Sequence, residues 1–455
     1  MDIRIPPSRL SGTVTAISSK SDAHRNLICA AFAHSPTVID INTLSEDIWA
    51  TIDCITALGA KVSFDDKGKI SVSPITGKTG LSVKHPDFSA NSLNSSESGS
   101  RSDDRNAAPP SLNCRESGST LRFLLPVASA FYETVSFEGG GRLPDRPLSP
   151  LMEEMEAHGC RFSARKLPFT VSGPMHGGIF HLPGDISSQF ISGLLMAFPL
   201  TGADSRIILT TPLESAGYID MTIDTMRNYG INVQKHDDGF SVNGGQRYIS
   251  PGVVTTDGDW SNSAFWLAAG ALSGPVTCSG LSTGSLQGDK QIMSILRRMG
   301  ANIYETRNNE IISAPAGTPS LAAAEIDASQ VPDLVPILAV TAATAEGETL
   351  IYNAARLRLK ESDRLHAICD CINRVGGKAV QYQDSLRITG VARLRGGTVE
   401  SYNDHRIVMA MAIASAVSTG DIVIKGAQAV NKSYPDFLRD FEMLGGKVHV
   451  IDDRQ

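Results

Sequence analysis

Six times along this chain, a run with apolar residues three and four apart ends in glycine and passes at once into alternating residues. The runs are ATIDCITALGAKVSF, LMEEMEAHGCRFSA, MTIDTMRNYGINVQ, QIMSILRRMGANIYE, HAICDCINRVGGKAVQ and FLRDFEMLGGKVHV. Their glycines are Gly59, Gly159, Gly230, Gly300, Gly376 and Gly445. A residue just beyond the last helical turn takes a left-handed backbone conformation, where glycine alone avoids a Cβ clash. The change of period from 3.6 to 2 marks an amphipathic helix handing over to a strand. From Gly159 onward the intervals are 71, 70, 76 and 69 residues. That is longer than ordinary solenoid repeats, so the repeated object is a whole α/β supersecondary unit used six times.

The first interval is 100 residues, about 30 too long. Residues 85–111, HPDFSANSLNSSESGSRSDDRNAAPPS, explain the excess as an insertion rich in Ser, Asn, Asp and Pro. Its lack of apolar anchors predicts a solvated loop. Removing it also revises the domain count, since 455 residues at roughly 150 per domain would suggest three domains rather than six regular units.

Composition excludes several classes of function. The net charge of −7 argues against a nucleic-acid protein held by a general basic field. The apolar runs around Val408–Val417 and Phe265–Leu272 fall well short of the roughly 18–20 residues of a membrane span, and the N-terminus shows no signal-peptide pattern. Seven cysteines, odd in number, scattered and without a C-x-x-C, predict buried thiols in a reducing cytoplasm and neither a disulfide framework nor a zinc site. The histidines do not cluster at metal-ligand spacing. Gly77-Lys78-Thr79 resembles the end of a P-loop, but Val72 occupies the place of its first glycine, and no G-x-G-x-x-G occurs.

Several helix entrances combine hydroxyl groups with cations. ISSKSDAHRNL sets Lys20, Ser21 and Arg25 at a helix start, where exposed amides and the helix dipole favour an anion. ESGSTLRFLLP repeats this with Gly118 and Arg122, and Arg142 and Arg146 follow in a Gly/Pro-rich loop. Ser187, Ser188 and Gln189 open another helix, although capping needs only one of them. In the C-terminal half, LKESDRL carries Lys360, Glu361, Asp363 and Arg364, and NDHR carries Asp404, His405 and Arg406 ahead of an apolar helix. Lys432 lies in VNKSYPDF, and Asp333, a lone acid before an apolar helix, reads by default as an N-cap. A capped helix start or a charged surface face is the bland alternative at each place.

Taken in order, KSDAHR, ESGSTLR, RPLSPL, SSQF, ESAGYIDMT, GDWSNSAFWLAAGAL, VPDLVPILA, LRLKESDRL, YNDHR and NKSYPDF resemble the 5-enolpyruvylshikimate-3-phosphate synthases over essentially the whole chain except the insertion. The resemblance implies an α/β fold of two domains, each of three βαβαββ units with helices buried and sheets outside, an inside-out α/β barrel. On this resemblance the active site would lie in the interdomain cleft. One domain would span residues 18–247 and the other residues 1–17 with 248–455. The implied reaction moves the enolpyruvyl group of phosphoenolpyruvate to the 5-hydroxyl of 3-phosphoshikimate and releases phosphate, with no metal or cofactor. Both substrates are small anions, which suits arginine and lysine.

Carried over residue by residue, the resemblance makes Asp333 the base on the 5-hydroxyl and Glu361 the proton carrier at the methylene. Lys20 would contact both substrates and is itself a possible acid. Phosphoenolpyruvate would meet Lys20, Gly118, Arg146, Gln189, Arg364, Arg406 and Lys432. 3-Phosphoshikimate would meet Lys20, Ser21, Arg25, Ser187, Ser188, Gln189, Ser215, Tyr218, Asp333 and Lys360. Arg122, His405 and Arg356 are secondary candidates. Ile17 stands where the family often has Pro, Arg115 where Gly is common, and Arg356 where some members have Asn. The family implies a monomer, and charge, apolar runs and cysteines imply a cytoplasmic protein with no nucleic-acid or membrane partner. With so many cations facing each other across the cleft, the domains without substrate should repel and stand open, and anionic substrates should draw them closed. The alternatives are the sister enzyme acting on UDP-N-acetylglucosamine and a non-catalytic anion-binding protein of the same fold.

Overall fold

The six glycines all fall where the helix-to-strand pattern requires a left-handed residue, with φ between 78° and 100°. In each case the N–H after the glycine donates to the carbonyl five residues back, at 2.9–3.0 Å, so that every one of these helices ends in the same hydrogen-bonded motif. The computed structural model describes residues 1–66, 68–75, 108–315 and 321–451. The predicted insertion therefore lies, up to residue 107, outside the described residues.

Among the described residues, six four-stranded sheets share one topology. In the unit that holds Glu325–Asp327, Glu348–Tyr352, Lys378–Gln381 and Leu386–Thr389, the first two strands are parallel, and the last two complete the sheet antiparallel. A helix follows each of the first two strands, which is the expected βαβαββ order. Three sheets take one strand from a distant part of the chain. Gly12–Thr15 runs parallel to Val276–Ser279, whereas Val253–Thr255 runs parallel to Thr37–Asp40. The two passages cross side by side at an antiparallel bridge between Ser18 and Gly258. Asp2–Ile5 fills the last sheet, between Ile422–Lys425 and His449–Ile451.

Apolar side chains gather into two separate cores. One draws on residues from Ala23 to Tyr248, and the other combines Ile3–Ile17 with residues from Trp260 to Leu444. At the middle of the second core, Val335–Ala342 and His405–Ala414 are buried along their whole length, as is Trp260–Leu272 apart from its last residue. A helix buried on every face has no solvent side to carry charge, which explains their nearly uninterrupted apolar sequences. Lys20–Ala31, Gly118–Phe131 and Ser188–Thr201 occupy the equivalent places in the first core. No helix among the described residues is long and apolar enough to cross a membrane.

Candidate active site

The N-terminal ends of these six central helices meet at a cleft of ≈ 1100 Å³ between the two lobes. Eight cations line it (Lys20, Arg25, Arg122, Arg146, Arg356, Lys360, Arg364 and Arg406) against three acids, Asp259, Asp333 and Glu361. Helix N-termini and excess cations reinforce one another, so the cleft is built for anions with several negative charges. Ser21, Ser187, Ser188, Gln189, Ser215, Tyr218 and His405 complete the expected lining.

On the first lobe, arginines are held by neutral groups. Arg25 donates from Nε to Thr222 Oγ1 at 2.7 Å and from Nη2 to the Tyr218 carbonyl at 2.8 Å, and its guanidinium lies 4.9 Å from the Phe123 ring centre. Burial lowers its pKa to about 10. Arg122 donates to Gln189 Oε1 at 3.0 Å, and Gln189 in turn donates to Ser119 Oγ at 2.8 Å. Lys20 is the exception, with Nζ 2.7 Å from Asp47.

On the second lobe, one buried guanidinium gathers three acids. Arg364 meets Asp333 at 2.6 Å, Glu361 at 2.6 Å and Asp404 at 2.8 Å, while Asp404 also accepts from Ser362 at 2.9 Å. Arg406 approaches Asp333 to 3.6 Å and donates to Ser261 Oγ at 2.7 Å; Lys360 lies 3.5 Å from Asp333. Burial alone would raise the Asp333 carboxyl, but Lys360, Arg406 and Arg364 together hold it well below the usual carboxylate range. Burial likewise works against the Glu361 carboxylate and is outweighed by Arg364, Arg146, His405 and Lys360. Both acids are therefore ionised. Burial, helped by Lys20 and Arg406, pushes His405 well below the ordinary imidazole range, and neither of its ring nitrogens has a hydrogen-bond partner among the described residues.

The default N-cap role of Asp333 is overturned. It sits in the short turn Pro332–Leu334, and neither that turn nor the helix Val335–Ala342 receives a side-chain cap. The proline that begins the turn has no N–H to satisfy, leaving the carboxylate to face three cations instead. Ser187 likewise makes no capping bond. Two expected residues stand behind the lining. Gly118 lies against the Arg146 guanidinium, which an added Cβ would meet, so that glycine gives the guanidinium its room. Lys432 is buried and meets Glu116 of the opposite lobe at 2.6 Å.

The expectation of bare cations facing each other holds only in part, because ion pairs join the walls at Glu116–Lys432, at Glu214–Arg356 (2.6 Å) and more loosely at Arg146–Glu361 (3.8 Å). Sequence reasoning assigned no role to Asp47, Glu116, Glu214, Asp259 or Asp289. These are acids whose partners come from remote segments; Glu116, Glu214 and Asp259 stand within the ESGSTLR, ESAGYIDMT and GDWSNSAFW motifs, whereas Asp47 and Asp289 carried no signal.

The chain matches known proteins over nearly its whole length. The family model described as EPSP synthase (3-phosphoshikimate 1-carboxyvinyltransferase) matches residues 5–99 and 89–441. A 3-phosphoshikimate 1-carboxyvinyltransferase of Clostridium kluyveri is 41% identical over 453 residues, covering 98% of each chain. One from Clostridioides difficile is 39% identical over 450 residues, again covering 98% of each. The solved EPSP synthase of Acinetobacter baumannii superposes with a TM-score of 0.76 at 22% identity, over 99% of this chain and 100% of that one. The enolpyruvyl transferase NikO of Streptomyces tendae superposes with a TM-score of 0.75 at 17% identity, covering 98% of each chain, which speaks for the fold alone. The chain belongs to the EPSP synthase family, the 3-phosphoshikimate 1-carboxyvinyltransferases.

Proposed function

We propose that the cleft joins phosphoenolpyruvate to the 5-hydroxyl of 3-phosphoshikimate, giving 5-enolpyruvylshikimate 3-phosphate and phosphate. The observation that carries this reading is the pair of ionised acids on one buried guanidinium, Asp333 and Glu361 on Arg364, inside a cleft where cations outnumber acids by eight to three. The cations suit two substrates that each bear a carboxylate and a phosphate. The acids suit a reaction that moves two protons.

Asp333 takes the proton of the 5-hydroxyl as that oxygen bonds to C2 of phosphoenolpyruvate. The C2–C3 electron pair takes a proton from Glu361, which acquires it from solvent once the substrate anions have drawn the guanidinium charge away and raised its basicity, and Lys20 steadies the charge of the tetrahedral ketal. Phosphate then leaves with its C–O bond pair, and the new methyl group returns a proton to restore the double bond. Arg146, Arg364, Arg406 and Lys432 hold the donor, while Ser21, Arg25, Ser187, Ser188, Ser215, Tyr218 and Lys360 hold the acceptor.

Asp333 and Glu361 pair with the arginines that the donor would use. Arriving substrate anions draw the guanidinium charge away, and both carboxylates become better bases. The boundary expected after residue 247 falls instead at about residue 256, because Tyr248 packs in the first core and Val253–Thr255 pairs with Thr37–Asp40. Closing of the two domains of a cytoplasmic monomer brings the two walls onto the substrates.

Purified protein with both substrates and a chelator releases phosphate under this reading. Release with UDP-N-acetylglucosamine as acceptor, and none with 3-phosphoshikimate, would overturn it in favour of the sister reaction.

A further inference from the structure

Glu214 is out of place for an anion site. It immediately precedes Ser215, at the end of the cleft lined by Ser187, Ser188 and Ser215, where a carboxylate would repel an incoming phosphate. Its surroundings show why it is tolerated. Its N–H donates to the Gly184 carbonyl at 3.0 Å, and Gly184 N–H donates to Thr211 Oγ1 at 2.9 Å, so the Ser215 loop and the turn before Ser187 form one corner. Ser215 has a left-handed backbone (φ 54°) and caps no helix, leaving its hydroxyl free for other partners. From the opposite lobe, Arg356 comes within 2.6 Å of Glu214 Oε2 through Nε, and donates from Nη2 to Ser215 Oγ at 3.1 Å and to the Ser329 carbonyl at 2.6 Å. Gln330 fastens the same corner, accepting from Ala216 N–H at 3.1 Å. Burial disfavours the charge on Glu214, and the Arg356 guanidinium opposes that shift.

We propose that Glu214 is a positioning residue for the acceptor's phosphate, acting by holding the Arg356 guanidinium across the cleft onto Ser215. A guanidinium on a long, flexible stem loses affinity to rotamer freedom unless a partner fixes it, and an ion pair to a half-buried acid does that. The phosphate then meets serine hydroxyls from one lobe and a fixed cation from the other. Glu214 touches no substrate, and its effect passes entirely through Arg356.

This inference rests on the reading under Proposed function, and steady-state kinetics with both substrates separates the two. Arg356→Gln is expected to raise the KM for 3-phosphoshikimate about tenfold, the worth of one charge-assisted hydrogen bond. Glu214→Gln should raise it about threefold, and the double variant should be no worse than Arg356→Gln, as a residue acting through another requires. The KM for phosphoenolpyruvate should stay unchanged in all three. Arg356→Lys, which keeps the charge at lowest risk to folding, should also raise the acceptor KM, because one ammonium cannot serve Glu214 and Ser215 in the same geometry. A fall in the acceptor KM in Glu214→Gln would show that the carboxylate merely repels phosphate and would overturn the proposal. Parallel rises in both KM values, or additive effects in the double variant, would equally overturn it. Absence of turnover in the unmodified protein would instead sink the parent reading.

Discussion

On the first lobe Arg25 and Arg122 have no carboxylate within ion-pair range among the described residues, and amides, hydroxyls, carbonyls and aromatic rings hold them in place. On the second lobe Arg364 and Arg406 sit among Asp333, Glu361 and Asp404. Both sets of guanidinium groups are buried, so both carry a desolvation cost. The first lobe leaves that cost to be offset by whatever anion arrives, which suits a wall that recognises substrate. The second lobe offsets it internally with acids, which suits a wall that moves protons. Division of labour across the cleft follows from how each lobe neutralises its arginines.

The sharpest way to break this comparison is to neutralise an acid of the second wall without changing its shape. Asp333→Asn is expected to lower kcat by about 10²–10⁴-fold, the usual worth of a positioned general base, while the Kd for 3-phosphoshikimate moves by much less. Rapid-quench turnover and fluorescence titration give the two numbers. A kcat near that of the unmodified protein would remove Asp333 from proton transfer and leave the second wall as another binding surface.

Stability separates the lobes next. Arg364→Met strands Asp333, Glu361 and Asp404 in a buried setting, and loss of one partner from a buried ion cluster costs about 3–5 kcal/mol. Arg25→Met strands only a hydroxyl and two carbonyls, for about 1–3 kcal/mol, and removes a buried charge at the same time. Urea denaturation of the ligand-free proteins should therefore rank Arg364→Met well below Arg25→Met. Equal losses would mean that the first lobe also compensates its arginine internally. Saturating 3-phosphoshikimate should widen the gap between Arg25→Met and the unmodified protein, since the ligand stabilises only the form that binds it.

Much of this was legible in the sequence, for reasons that differ from place to place. Gly59, Gly159, Gly230, Gly300, Gly376 and Gly445 were visible because a left-handed turn restricts residue choice wherever it occurs. The buried central helices were visible because they lack a polar face. Gly12–Thr15 joins the second lobe as the division at residue 17 expects, but the return of Val253–Thr255 to the first lobe was not visible, because a strand of three or four residues fits the edge of any sheet of matching polarity. Within the site, Lys20, Arg364 and Arg406 were marked by unusual clusters of charge beside apolar helices. Asp333 looked like a cap because its partners, Lys360, Arg364 and Arg406, lie in other segments. Glu116 and Glu214 open the ESGSTLR and ESAGYIDMT motifs, but nothing there marked their role, since each is a single acid whose meaning depends on a cation from the opposite lobe.

The smallest effect concerns Asp289, an acid of the second lobe that departs from its neighbours. It is fully buried and accepts a hydrogen bond from Tyr218 Oη of the first lobe at 3.1 Å. Burial first, and then the charge of Asp333, push its pKa up to about 6, while Arg406, Ser261 and Tyr218 work in the opposite direction. The sign of its contribution is therefore the reverse of that of Asp333 and Glu361. Those two stabilise the fold at neutral pH and lose that contribution only as pH falls through their depressed values. Asp289 contributes stability that is complete below the ordinary value of 3.8 and is lost as pH rises through about 6. Asn in its place keeps an acceptor for Tyr218 and cannot ionise. Asp289→Asn should thus match the unmodified protein near pH 4 and gain on it by about 1–3 kcal/mol toward pH 7, in urea melts taken across that range. A difference that stays constant with pH would show that Arg406 already holds the Asp289 carboxylate ionised, and that the second lobe compensates every one of its buried acids.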